Sequence, residues 1–167
     1  MHLQLLQETP TVSVYHDVTN DWLFADWRGH LTLPMVQANC LTIAQCFLAR
    51  PYPRILNSNC EVQSMSADVA PWLAGQYLPH LGLAGIEYLA WVCAPDLLLK
   101  HLAGEAVRQL RTPMVVMFDD LENACAWLQH TRIPADEATG PDAARRQAEL
   151  NFRVEALLEE VSHLEGR

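Results

Sequence analysis

Apolar and polar positions divide the chain into short β-rich runs separated by stretches with helical spacing. Val12–Asp17 (VSVYHD) and Trp22–Trp27 (WLFADW) are rich in β-branched and aromatic residues, and Val18, Thr19, Asn20 and Asp21 between them carry turn chemistry. The pair predicts an antiparallel hairpin. After Gly29, apolar residues recur at Leu33, Val36, Cys40, Ile43 and Phe47, with Thr32 placed as an N-cap and Pro34 in the first turn. This spacing predicts a helix ending near Arg50, before Pro51 and Pro53.

The run Arg54-Ile55-Leu56-Asn57 predicts a short buried strand. Ser66 is placed to cap a helix through Val69, Trp72, Leu73 and Tyr77 toward Leu81, with Gly82 and Gly85 punctuating its exit. Ile86–Cys93 (IEYLAWVC) predicts an interior strand, and Asp96 opens a helix through Leu98, Leu102, Ala106 and Leu110. Met114–Phe118 (MVVMF) has no alternation, the pattern of a strand covered on both faces. Asp119 then caps, and Glu122 reaches back across, a helix carrying Leu121, Ala124, Cys125 and Leu128. A hairpin followed by alternating helices and strands defines an α/β fold. It predicts a single mixed, mainly parallel sheet of four to five strands, with an antiparallel N-terminal hairpin and helices packed on the sheet.

Composition changes after residue 132. Residues 133–143 (IPADEATGPDA) are polar with Pro and Gly and read as a linker, so residues 1–132 form the α/β domain and 144–167 a C-terminal amphipathic helix. In that helix Leu150, Val154, Leu157, Val161 and Leu164 alternate spacings of four and three, a coiled-coil-like stripe. The helix either packs on its own domain or pairs with another copy. The linker and the narrow stripe favour pairing, hence a homo-oligomer.

Half of the 167 residues are apolar, enough to bury a sizeable core. A formal net charge of -9 removes the cationic footprint of nucleic-acid and anionic-membrane binders, so neither partner is expected. The charge-free stretches Gly29–Ala49 and Val69–Ile86 are interrupted by polar residues and prolines and read as soluble core. The N-terminus has no signal-peptide pattern, and the five cysteines are odd in number with no CxxC pair. Together these predict reduced thiols and a cytoplasmic protein. The histidines are scattered, so no metal and no cofactor are expected.

The best-placed polar cluster is Asn57-Ser58-Asn59-Cys60, read as the carboxyl end of a strand, where open α/β sheets meet ligands and partners. Ser58 or Cys60 as a nucleophile would need a base and an oxyanion donor, and the next histidine is His80. The expected role is therefore not catalytic. Asn57, Ser58 and Asn59 are candidates for a docking rim, and Ser58 and Ser66 for phosphoacceptors, Ser66 by virtue of its place at a helix start. Against this stands the ordinary use of Asn and Ser, which is to end a strand and satisfy a turn. The five tryptophans read as core before pocket, His16 and Asp26 as a polar couple, and Asp119, Asp120 and Glu122 as a helix cap before a cation site.

Asn20–Gly29 (NDWLFADWRG), Ile55–Asn59 (ILNSN), Trp72–Val92 (WLAGQYLPHLGLAGIEYLAWV) and Phe118–Leu128 (FDDLENACAWL) resemble a family of small bacterial STAS-like, anti-sigma-factor-antagonist-like (SpoIIAA-like) proteins, distantly similar in fold to the CRAL-TRIO domain. The resemblance spans about Val12 to Arg132. It implies a mixed sheet with helices on its faces, and regulation by docking to a protein partner. In relatives a phosphorylated serine starts the helix after the central strand; here Ser58, Ser64 and Ser66 fall in that region, without the relatives' Asp-Ser-Ser-Gly-type signature. Two functions follow: an interaction or regulatory module, or a carrier of a small apolar ligand or nucleotide held between sheet and helices. The lack of a Gly-rich phosphate loop weighs against a tightly bound nucleotide.

Overall fold

The computed structural model describes residues 1–93 and 112–131, together with Ala148. A six-stranded sheet runs in the order β1-β2-β3-β4-β5-β6, formed by β1 (Leu3–Glu8), β2 (Val12–Asp17), β3 (Trp22–Leu31), β4 (Arg54–Met65), β5 (Tyr88–Val92) and β6 (Met114–Phe118). The first three strands form an antiparallel meander, and β3 through β6 are parallel. The predicted mixed α/β sheet is what the chain forms, with more strands than the four to five expected.

The additional strand is β1. Its side chains are exposed except for half-buried Leu6, so it carries no burial period from which a strand could be read. Asp17, at the end of β2, anchors it: the carboxylate accepts from the backbone N–H of His2, and from Thr19, Asn20 and the Asn20 side-chain amide in the turn. In that turn Asp21 adopts φ 55, a left-handed conformation that aspartate tolerates better than most side chains.

Helix α1 (Leu33–Ala49) links β3 to β4 and buries Val36, Cys40, Ile43, Cys46 and Phe47. Thr32 stands at its N-cap without a side-chain bond, and Pro34 occupies the first turn. The expected helix from Ser66 is a composite: α2 (Val69–Trp72), a π-helical turn (Leu73–Tyr77) and α3 (Leu78–Leu83). Asp68, not Ser66, holds the N-cap position. Gly82 does not end the helix but lies within α3, where a Cβ would stand 2.6 Å from the Thr112 carbonyl oxygen. Gly85, at φ +83, makes the exit turn. Helix α4 (Leu121–His130) is capped by Asp120 rather than Asp119, its carboxylate accepting from the Asn123 N–H at 2.8 Å.

Strand alternation separates two cores. On one face Val12, Val14, Leu23, Ala25, Trp27, Ile55, Leu89 and Trp91 meet α1 and the composite helix. On the other Trp22, Phe24, Leu56, Ala90 and Val92 meet Ala124 and Leu128 of α4. Placing the crossover helices α1 and α2–α3 on one face agrees with right-handed connections between successive parallel strands. Strand β6 is half-buried with Met114 55% exposed, so it is not covered on both faces as its composition suggested.

The two charge-free stretches form the end of β3 with α1, and the composite helix; no described helix is long and apolar enough to cross a membrane. The expected helix opening at Asp96, the linker 133–143 and the stripe of Leu150, Val154, Leu157, Val161 and Leu164 lie outside the described residues.

Candidate functional site

Strand β4 was expected to stop at Asn57. It continues to Met65, and only its first part is flanked on both sides: pairing with β5 ends at Ser58↔Val92, while pairing with β3 extends to Leu31↔Met65. Asn57–Cys60 therefore lie within a strand, at the level where β5 and β6 end. Two irregularities interrupt the β3–β4 ladder beyond that level, between Asp26 and Arg28 and between Gly29 and His30. At the first, Cys60 and Glu61 are consecutive exposed residues, the signature of a bulge.

Alternation sends Asn57 and Asn59 to one face and Ser58 to the other. Trp27 on β3 donates its indole N–H to Asn57 Oδ1 at 2.9 Å, and Trp91 on β5 donates to Asn59 Oδ1 at 2.6 Å. Asn57 Nδ2 donates to Asn59 Oδ1 at 2.8 Å, closing the set. An indole can only donate, so the amide oxygens must face the rings and the orientation of both asparagines is fixed by chemistry. Asn59 is 2% exposed and both tryptophans 5%, so these amides hold two large rings in place within the sheet.

Ser58 is fully buried on the opposite face, in register with Asp26, to whose carboxylate its hydroxyl donates. Burial pushes the Asp26 carboxyl up and neighbouring Glu61 adds to this, against the lowering effects of Ser58 and Arg28. The expected His16–Asp26 couple does not form. His16 faces Leu23 across the ladder, and its Nε2 meets Asp21 Oδ1 at 3.1 Å beside the Arg50 guanidinium.

Beyond the bulge, Pro10, Arg28, Gly29, Cys60, Glu61, Val62 and Gln63 line an open groove of about 620 Å³. Arg28 is held there by Glu8 at 3.3 Å and by the carbonyls of Pro10 and Thr9. Ser64 contacts His30 Nδ1 at 2.7 Å, and Ser66 donates to Asp68 Oδ1 at 2.6 Å. A phosphate on Ser66 would meet that carboxylate as a like charge, and the Ser58 hydroxyl has no solvent access.

The structure thus brings Asn57, Ser58 and Asn59 to one level of the sheet and leaves Ser66 apart, beyond the end of β4. Sequence reasoning missed Trp27, Trp91 and Asp26 as their partners. The available signal was the Asn-x-Asn spacing, which places two amides on one strand face, together with tryptophans that need acceptors once buried. Among the described residues, no three His, Cys, Asp or Glu side chains are grouped to hold a metal ion. Buried Cys40 of α1 and half-buried Tyr77 of the π-helical turn form a further polar pair, and burial pushes the thiol and the phenol up.

No protein-family model matches the chain, and no curated protein matches it. Among solved structures it is similar to an uncharacterized protein of the DUF3478 family with a SpoIIAA-like fold, from Shewanella loihica PV-4. The likeness has a TM-score of 0.51 at 16% identity, covering 74% of this chain and 98% of that one. The chain has a SpoIIAA-like fold, as the sequence resemblance implied.

Proposed function

We propose that the protein is a non-enzymatic interaction or regulatory module of STAS-like type, which docks a protein partner at the β4 rim and self-associates through Leu150, Val154, Leu157, Val161 and Leu164. The observation that carries this reading is the engagement of Asn57, Ser58 and Asn59 inside the fold, with indoles and with Asp26 as partners. Groups so engaged shape a rim rather than react. What the rim offers outward is the Cys60–Gln63 ledge and its groove, which form the docking surface.

The alternative, a carrier, needs room between sheet and helices. Phe47, Trp27 and Trp91 fill part of that space, and Trp72 stacks on Tyr77 at 6.1 Å. Native mass spectrometry of the purified chain, with and without residues 144–167, separates the two. A multimer of bare mass that becomes a monomer on truncation supports the module. Retained mass on each subunit would support the carrier, and a multimer surviving truncation would remove the helix from self-association. Docking is tested by a photo-crosslinker at Gln63, with one at Gln129 on α4 as control. A discrete adduct formed from Gln63 alone and lost in Glu61→Arg is the expected result; equal labelling from both positions would count against the rim.

A further inference from the structure

Strand β1 ends the sheet, and among the described residues no strand lies beyond it. Its outward groups can be deduced from its pairing. Val18 N–H donates to the His2 carbonyl at 2.9 Å, which makes His2 and Val18 a hydrogen-bonded pair. In an antiparallel ladder such pairs alternate, so Gln4↔His16 is the next and Leu3↔Asp17 and Leu5↔Tyr15 are the non-bonded ones. The backbone N–H and C=O groups of Leu3 and Leu5 therefore point away from β2 to the open edge.

The side chains at the same two positions are 39% and 50% exposed, on the face where Tyr15 stacks on Phe24 at 5.9 Å. Natural edge strands are usually blunted by charge, proline or a bulge, yet Leu3 to Leu5 carries none of these, in a chain of net charge -9. The bulge between Leu5 and Gln7 and the carboxylate of Glu8 bound this stretch on one side.

We infer that β1 is a self-complementary docking edge whose occupant is β1 of a second copy of this chain, antiparallel about a two-fold axis through Gln4. Resting on the self-association reading above, this names a second surface for it. This register engages the free backbone groups of both leucines at once: Leu3 bonds the partner's Leu5, and Leu5 bonds the partner's Leu3. The leucines of both copies then form one apolar seam between the two Tyr15 rings, and each sheet of six strands continues into its partner's. The charge-free strip also lets two acidic molecules approach where repulsion is least. So short a contact buries well under the roughly 1,200 Å² of a stable interface, so the dimer is concentration-dependent and strengthened by any contact from the C-terminal stripe.

Sedimentation velocity over a concentration series of the full chain tests this with Leu5→Pro, Leu3→Lys/Leu5→Lys and Leu157→Asp. Proline at position 5 removes an outward N–H and leaves the bonds to β2 in place, so the circular-dichroism spectrum should be unchanged. Both β1 variants are expected to weaken the dimer about tenfold or more. Wild-type association in the β1 variants, with dissociation in Leu157→Asp, would overturn the β1 edge and leave the stripe standing. Dissociation in the β1 variants alone would uphold the edge and remove the stripe, and a monomeric wild type at every concentration would sink both. A second readout does not depend on those variants folding. In a Cys60→Ser background, Gln4→Cys places two thiols across the axis at a Cα separation of about 4.5 Å, within disulfide reach. Intermolecular disulfide forming faster from Gln4→Cys than from Gln7→Cys is expected; equal or slower formation would overturn the register.

Discussion

At the scale of single residues, Asn59 carries more of the fold than its polarity suggests. Its side-chain oxygen accepts from both the Trp91 indole and the Asn57 amide while almost fully buried. Asn59→Ala strands an indole N–H in the core, and should cost about 2–3 kcal/mol in urea unfolding. Trp91→Phe removes the donor instead. Because the pair shares one bond, the double variant should fall short of the sum of the singles by more than ~0.5 kcal/mol. Strict additivity would mean that the bond contributes nothing.

Buried Asp17 and half-buried Asp26 give the pH dependence opposite signs. For Asp17, burial acts to raise the carboxyl, but the hydrogen bonds from the Asn20 side chain and from the His2, Thr19 and Asn20 amides outweigh it, so the net shift is downward. That contribution is present above the ordinary aspartate value and is lost as pH falls through the lower folded value. Asp26, raised by burial, favours its protonated form in the fold, so its penalty is full above the folded value and fades as pH falls toward the ordinary one. Asp26→Asn should therefore raise the urea midpoint at pH 7 and leave it unchanged near pH 3. Asp17→Asn should lower it at pH 7, with the difference closing in acid.

At the scale of elements, closure depends on a glycine inside a helix. Gly82 faces the Thr112 carbonyl at a distance that no side chain allows, and the obstacle is backbone rather than a flexible tip. Gly82→Ala, which would stabilise an ordinary helix, should here cost about 1–3 kcal/mol through overpacking. Thermal unfolding of the variant decides the sign. The same element shows what the sequence allowed. Apolar spacing placed a helix between Val69 and Leu81, because burial follows the period of the pattern. The π-helical turn and the role of Gly82 depend on Cys40, Tyr77 and Thr112, whose proximity is tertiary. Strand β4 was legible only as far as its apolar run, since Glu61, Gln63 and Ser64 carry no alternation.

At the scale of the molecule, the order of β-rich and helical stretches sufficed for the α/β class and the antiparallel start, because each sequential pair of strands lies side by side in the sheet. The candidate site was legible in position more than in role. Asn57 and Asn59 were read as a docking rim or as residues that end a strand, and only contacts across 30 and 32 residues of chain show them serving tryptophans. Strand β1 escaped because an exposed edge strand leaves almost no burial signal.

The irregular ladder between β3 and β4 bears on how this chain tolerates a change in length. From Asp26 to Leu31 β3 advances five residues, while β4 advances seven from Ser58 to Met65. Each surplus residue sits in a bulge, so removing Cys60 would straighten the strand while Glu61 kept Arg28 and Val62 kept Gly29 as partners. Removing Asn57 instead would turn Ser58 and Asn59 to the wrong faces before the bulge absorbed the loss, burying the serine among the tryptophans and parting Asn59 from Trp91. The Cys60 deletion should fold with a modest loss of stability and the Asn57 deletion should not fold, as circular dichroism would report. Descendants of this gene can gain or lose a codon at the bulges, but along the regular half of the same strand the reading of inside and outside is locked.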